Sequence, residues 1–297
     1  MELKNLRAFV EVVRQNGFTA AGKTLCATQS TVSKAVRQLE DEIGAPLIDR
    51  LAPKPRLTAI GEAVYPRALR LLAERDDLLA EIAELRGLKR GVLRLGLPPV
   101  GSGLLFAPLF TKFRKLYPGV EINLVEHGSA RLEEILRLGE IDFAASLLPV
   151  DEDFEFHEIR RDPMMALVAA DSPLAGRERV SIRDLRDMPL ILFESGFAQN
   201  RLIINACHRA GFEPEVAARS GQIDFIVELA GAGLGAAFLP RLLVKGQGGD
   251  KARAGVVGVM LDEPDVDWRL ALVWRKGAFL SDAARAWLTL AREARFS

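Results

Sequence analysis

The sequence is poor in the residues from which catalytic and metal sites are usually built. Of its 297 residues only two are cysteine, Cys26 and Cys207, and three are histidine, His127, His157 and His208. The cysteines stand far apart without CxxC or CxxH spacing, which argues against a disulfide framework or a zinc site and for a reducing compartment. The histidines are scattered, so neither a metal-ligating set nor a Ser/His/Asp order emerges, and no cofactor is expected. No run of about 18 apolar residues occurs, as a membrane-spanning helix would need. The first residues, MELKNLRAFVEVV, lack the basic, apolar and small-residue segments of a secretory signal, so a cytoplasmic protein is expected. Excess charge of either sign is missing too, since 40 Lys and Arg balance 40 Asp and Glu. Any contact with nucleic acid must therefore be local.

The length suits a small domain followed by a larger one, and 49% hydrophobic residues can fill substantial cores. The local positive bias lies in residues 1–60, where Lys4, Arg7, Arg14, Lys23, Lys34, Arg37, Arg50, Lys54 and Arg56 outnumber the acids and three of those acids sit together at 40–42. Leu3, Leu6, Phe9, Val10 and Val13 form one helical stripe that stops at Asn16-Gly17. Thr19 is suited to cap a short second helix running to Leu25. After a turn through Cys26 and Ala27, Thr28 caps a third helix whose Val32, Ala35, Val36, Leu39 and Ile43 recur at buried spacing. The opposite face carries Gln29, Ser30, Thr31, Ser33, Lys34 and Arg37. Short hydroxyl and amide groups near a helix start, with longer cations further along, suit a helix entering the major groove of double-stranded DNA. The same pattern also serves as the solvated face of a small bundle, and spacing alone does not choose.

From Thr58 to Arg86 the residues Val64, Ala68, Leu71, Leu78, Ile82 and Leu85 step by 4, 3, 7, 4 and 3, a heptad seam interrupted at Arg75. Residues 67–86 would form a rod of roughly 30 Å, suited to pairing with a second copy; an amphipathic helix lying on its own domain is the alternative. Pro66 predicts a kink or a helix start. Beyond residue 88 strands and helices alternate as in an α/β domain. The glycine run Gly231–Gly235 follows a helix and precedes a strand, the reverse of a dinucleotide-binding fingerprint, and reads as a helix stop and turn. Ser102, Ser129, Ser195 and Ser220 each follow a strand and precede a helix. Helix starts beyond strand ends present free N–H groups to an anion, although serine also caps helices with no ligand at all. No catalytic constellation is found, so an enzyme is not expected.

The run LRAFVEVVRQNGFTAAGKTLCATQSTVSKAVRQLEDEIGAPLIDR, with RLTAIGEAV after it, resembles the N-terminal signature of LysR-type transcriptional regulators. The pieces LFAPLFTKFRKLYPGVEINLVEHG, LRLGEIDFAAS and GAGLGAAFLP are similar to the effector domain of the same family. The resemblance implies an all-α winged helix-turn-helix domain over 1–60, a linker and dimerisation helix over 61–87, and an α/β effector domain of two-lobed periplasmic-binding-protein type over 88–297. One lobe would comprise 88–161 with 268–297, the other 162–267. Thr28–Leu39 becomes the recognition helix, with Gln29, Ser30, Thr31, Ser33, Lys34 and Arg37 facing the groove and Arg50 and Lys54 touching backbone from the wing. An effector would lie among Pro98, Gly101, Ser102, Ser129, Phe193, Ser195, Gly196, Ser220 and Gln222. The resemblance further implies a homodimer, assembled into a tetramer, acting on promoter DNA with RNA polymerase as a further partner. Two departures stand out: Gly22 replaces a usual alanine, which weakens a helix, and Ile48-Asp49 replaces the more usual phenylalanine followed by a variable residue. A solute-binding transport protein and an α/β enzyme remain as readings from other classes; the helix-turn-helix opposes the first and the missing catalytic set the second.

Overall fold

The computed structural model describes residues 1–49, 55–85, 91–245, 255–263, 265–294 and 296. The chain divides into two compact units. The N-terminal unit holds α1 (Leu3–Arg14), α2 (Phe18–Thr24), α3 (Gln29–Ile43), β1 (Ile48–Asp49), β2 (Arg56–Leu57) and α4 (Ala59–Leu85). The predicted apolar stripes meet here: Leu6, Phe9 and Val10 of α1 pack with Val32, Val36 and Leu39 of α3, and Ala68 and Leu69 of α4 close the core. The second helix begins one residue before the predicted cap, with Gly17 at its N-cap and no side-chain cap.

Two acids of the 40–42 cluster have structural work. Glu40 Oε1 accepts the backbone N–H of Leu47 at 2.9 Å and of Ile48 at 3.3 Å, which ties the end of α3 to β1. Glu42 meets the Met1 amino group at 2.9 Å. The chain reverses at Gly44, whose φ of 78° places it in the left-handed region that glycine tolerates. It then forms the two-residue ladder of β1 and β2. Thr58 donates to the Pro46 carbonyl at 2.7 Å and accepts the Gly61 N–H at 3.0 Å, so one hydroxyl both starts α4 and fastens it beside β1.

No fresh helix start occurs at Pro66; one helix runs from Ala59 to Leu85. Proline there forfeits a single N–H bond, while Val64, Tyr65, Ala68 and Leu69 on either side enter the core and Tyr65 meets Phe9 edge-on at 6.0 Å. Burial of that face outweighs the local preference. The same packing divides the predicted seam: Ala68 is only 1% exposed, whereas Leu71 and Leu78 stand 43% and 55% exposed.

The second unit contains two groups of strands. The first comprises β3 (Gly91–Leu97), α5 (Pro99–Leu116), β4 (Val120–Glu126), α6 (Ser129–Arg137), β5 (Phe143–Leu147) and β6 (Phe154–Asp162). The chain then enters the second group: β7 (Met164–Ala169), β8 (Arg179–Val180), β9 (Leu190–Phe193), α7 (Ala198–Arg209), β10 (Val216–Ser220), α8 (Ile223–Gly231), β11 (Ala237–Pro240), α9 (Arg241–Lys245) and β12 (Val256–Leu261). It returns through β13 (Trp268–Arg275) and ends in α10 (Asp282–Glu293). The first lobe is a sheet of order β4-β3-β5-β13-β6, parallel among β4, β3 and β5 and antiparallel through β13. The second is a sheet of order β11-β7-β12-β8 with the parallel pair β10-β9 beside it, joined by a bridge from Leu190 to Ala236. The carboxyl ends of β3, β4, β9 and β10 lead into α5, α6, α7 and α8, the arrangement that places helix starts around a cleft.

Gly61 gives the N-terminal unit a sharp test. A Cβ at this position would stand 2.1 Å from the Leu47 carbonyl oxygen, which backbone cannot yield cheaply. Gly61→Ala is expected to destabilise the N-terminal unit by about 1–3 kcal/mol in urea unfolding, as other overpacked substitutions do; unchanged stability would show that α4 can retreat from β1 at no cost.

Candidate functional site

The first site is the outer face of α3. Thr28 caps the helix by accepting the Thr31 N–H at 3.2 Å, and its hydroxyl lies 2.8 Å from those of Ser30 and Thr31. Cys26, at φ 51°, makes the turn between α2 and α3. Gly22 has a further role there: a Cβ would sit 2.8 Å from the Ala27 carbonyl, so glycine lets the turn fold closely against α2. Of the predicted groove-facing set, Gln29, Ser30, Thr31, Lys34 and Arg37 are exposed and Ser33 is half-buried. Arg50 and Lys54 lie outside the described residues. Gln38 is exposed on the same face, one turn beyond Lys34, and sequence reading passed over it although the spacing of four was visible. Among the described residues neither Lys34 nor Arg37 enters an ion pair.

The second site lies between the lobes of the C-terminal unit. Pro98, Val100 and Ser129 of the first lobe, Phe197 and Gln199 of the second, and Trp268 of β13 line one cavity of about 10 Å³, room for about one water. Its walls approach so closely because two glycines oppose each other. A Cβ on Gly128 would stand 2.9 Å from the Gly196 carbonyl oxygen, and that oxygen accepts the Ala130 N–H from the first turn of α6 at 3.0 Å. Gly101, at φ 81°, makes a break inside α5, and a Cβ there would come within 2.6 Å of the Trp268 ring. Regular helix therefore resumes after Gly101, and Ser102 stands in its first turn with its Oγ buried and without a hydrogen-bond partner.

The predicted effector residues fall into two groups. Pro98 and Ser129 line the cavity, and Gly101 and Ser102 follow on the same turn as Val100. Phe193 lies behind, buried and stacked on Phe197 with ring centroids 4.9 Å apart. Ser195 and Gly196 are exposed. Ser220 and Gln222 are not among the lining residues; Ser220 Oγ accepts the Gln222 N–H at 3.1 Å and shapes the turn before α8. Serine capping does not account for the pattern: α5, α7 and α8 start from Pro98, Phe197 and Gln222, none with a side-chain cap. Gln199 and Trp268 are the lining residues that sequence reading missed. A wider open groove of about 870 Å³ runs along Phe110, Arg114 and Val120, but none of its lining residues carries a buried polar atom without a partner.

Neither site offers chemistry of bond making. Among the described residues no group of three His, Cys, Asp or Glu could hold a metal ion. Cys207 is buried, and desolvation pushes its thiol up to about 11, so little nucleophilic thiolate exists near neutral pH. His127 is exposed. No described helix is long and apolar enough to cross a membrane.

Residues 3–62 match the bacterial regulatory helix-turn-helix of the lysR family, and residues 86–295 match the LysR substrate binding domain. The chain belongs to the LysR family. It is a DNA-binding LysR-type transcriptional regulator with an effector domain, and the family's members are regulators, not enzymes. The chain is 35% identical to the uncharacterized HTH-type transcriptional regulator YwbI of Bacillus subtilis (strain 168), over 97% of this chain and 95% of that one. It is 30% identical to the regulator BudR of Raoultella terrigena, over 93% and 95% of the two chains. Among solved structures, a full-length OxyR from Pseudomonas aeruginosa superposes with a TM-score of 0.72 at 24% identity, covering 98% of this chain and 94% of that one. The LysR regulator CbnR in complex with its target DNA matches at 0.63 and 22% identity, over 99% of each chain. These two likenesses bear on the fold.

Proposed function

We propose that this LysR-type regulator reads its operator with the α3 face and changes its activity when a small anionic metabolite, a carboxylate, enters the cleft between its effector lobes. The observation that carries the effector reading is Ser102: a hydroxyl 8% exposed as a residue, at the start of a helix, with its Oγ buried and no partner. With Ser129 in the first turn of α6, it offers donors beside helix N–H groups, a combination that favours negative charge. A ligand that binds one lobe arrangement better than another shifts the balance between them, and that difference is what the DNA-binding domain can respond to. The protein acts in the cytoplasm, at promoters, where RNA polymerase is a further partner.

On the DNA side, Gln29, Ser30, Thr31 and Ser33 stand near the helix start and reach bases, while the exposed cations Lys34 and Arg37 reach guanine or phosphate; in the wing, Arg50 and Lys54 contact backbone. Operator fragments selected from random DNA allow anisotropy titration at several salt concentrations. Lys34→Ala and Arg37→Ala should each weaken binding by about 1–3 kcal/mol where a base contact is lost, or flatten the salt dependence where a phosphate contact is lost. Wild-type affinity in both variants would remove α3 as the reading helix.

The effector reading is tested by calorimetry on the full chain with small carboxylates and their neutral amides. Carboxylates should bind the wild type better, and Ser102→Ala with Ser129→Ala should cost at least tenfold in affinity. A preference for neutral ligands rejects the anion site and leaves the regulator untouched.

Assembly follows from α4. Leu71, Leu78 and Leu79 are 43%, 55% and 47% exposed, a row of large apolar side chains suited to the same row on a second copy. The homodimer formed this way pairs again into a tetramer. Leu78→Glu would force a carboxylate into that seam and should leave monomers in light scattering; a fully dimeric variant would place the interface elsewhere.

A further inference from the structure

We propose that Gln199 reads a hydrogen-bond donor on the effector, so that the molecule held between the lobes is a small hydroxycarboxylate and not a simple carboxylate. The inference rests on the effector-cleft reading above and adds a second recognition element to it.

Gln199 lies in the first turn of α7, is 4% exposed and lines the cavity. Its Nε2 donates to the carbonyl of Phe238, on the buried strand β11, at 2.6 Å. Two carbonyl oxygens cannot hydrogen-bond to each other, so this contact fixes which way the amide points: nitrogen toward β11, oxygen away from it. The Oε1 so placed is buried and has no partner. Its neighbour Asn200 differs in every respect that matters. Asn200 Oδ1 accepts the Phe193 N–H at 3.0 Å, and its Nδ2 donates to the carbonyls of Phe193 and Glu194 at 2.9 and 3.0 Å. Asn200 is consumed in holding the turn after β9, while Gln199, a residue of the cavity wall, is half-used.

An unsatisfied buried acceptor is costly unless something supplies a donor. A carboxylate oxygen, a ketone or an ether cannot, because each is an acceptor as well; only an O–H or N–H can. The remaining walls favour an uncharged donor, and a hydroxyl is the one proposed. No charged side chain lines the cavity, so an ammonium group would lose its water and find no counter-charge, whereas a neutral hydroxyl needs one acceptor and finds it. The acid end then belongs to the first lobe, with Ser102 and Ser129, and the hydroxyl to the second, with Gln199. A molecule with both groups touches both lobes, and one with only the acid end touches one.

The test is isothermal calorimetry of the full chain against matched acids that differ by one hydroxyl: glycolate and acetate, lactate and propionate, 3-hydroxybutyrate and butyrate, salicylate and benzoate. At least one hydroxy acid is expected to bind tenfold or more tighter than its partner acid. The corresponding methoxy acid, which keeps the oxygen and lacks the proton, should lose that preference on the wild-type protein, and Gln199→Leu should reduce it to less than twofold. Because Gln199→Leu also strips the Phe238 carbonyl of its donor, the methoxy comparison stands alone if that variant does not fold. Equal binding within every pair, or full affinity of the methoxy acid, overturns the role of Gln199 while leaving a carboxylate site in place. Binding of none of these acids overturns the carboxylate reading and this proposal with it.

Discussion

The effector unit depends on a carboxylate buried where the chain crosses from one lobe to the other. Asp162 closes β6, is 1% exposed, and stands opposite Trp268, the first residue of the returning strand β13. It accepts from Arg160 at 3.4 Å and from the Leu242 N–H at the start of α9, and Arg160 in turn donates to the Phe296 carbonyl at 2.6 Å. A charge without water must be met by such partners, and removing one of them leaves the others uncompensated, at a cost of about 3–5 kcal/mol. Its partners come from the crossing strand and the second lobe, and Arg160 links the pair onward to the C-terminal segment. From there order passes to the cleft, since Trp268 is pressed against Gly101 and Gly101 sets the start of the α5 helix that carries Ser102.

At Gly128 and Gly196 the lobes meet by backbone. Gly128 allows an approach to the Gly196 carbonyl that a Cβ would obstruct, and the bond from the Ala130 N–H to that carbonyl uses one of the first free donors of α6. A peptide carbonyl carries only a partial negative charge, so an anionic ligand oxygen offers a stronger acceptor to the same helix start. The cleft as it stands leaves room for about one water, and a metabolite must therefore part these loops before it can enter. On the proposed reading, ligand binding and lobe movement would be coupled for that reason.

How much of this was legible in the sequence varied with the range of the forces involved. The stripes of α1 and α3 were visible because their period is local, and the Thr28 cap was visible because its partner lies three residues on. The strand β6, FEFHEIRRD, was not, since it runs at the edge of its sheet with charges on its outer positions and mixes apolar and charged residues without a clean alternation. The two-residue strand β8 carries too few residues for a period to declare itself. At Pro66 the local rule was sound and lost to the burial of Tyr65, Ala68 and Leu69, which only the packed domain reveals. The four serines looked alike as helix-preceding residues, yet one shapes a turn, one is exposed, and two are buried, of which Ser129 lines the cavity. Gln199 was illegible for a plainer reason: the carbonyl that orients it lies 39 positions further along the chain.

Electrical neutrality posed the opposite difficulty, because a chain with 40 charges of each sign has no reason to approach DNA as a whole. What matters is where the acids of the N-terminal unit are spent. Glu40 gives its carboxylate to the backbone of Leu47 and Ile48, and Glu42 gives its own to the Met1 amine, so two of the three acids that follow the reading face neutralise local donors. Lys34 and Arg37 remain exposed on that face and outside any ion pair among the described residues. At ordinary ionic strength a charge is felt over about 8–10 Å, close to the span of two helical turns. Within that distance local groups decide the field: Lys34 and Arg37 supply positive charge on the first turns of α3, with Asp41 the exposed acid that follows them one turn beyond Arg37.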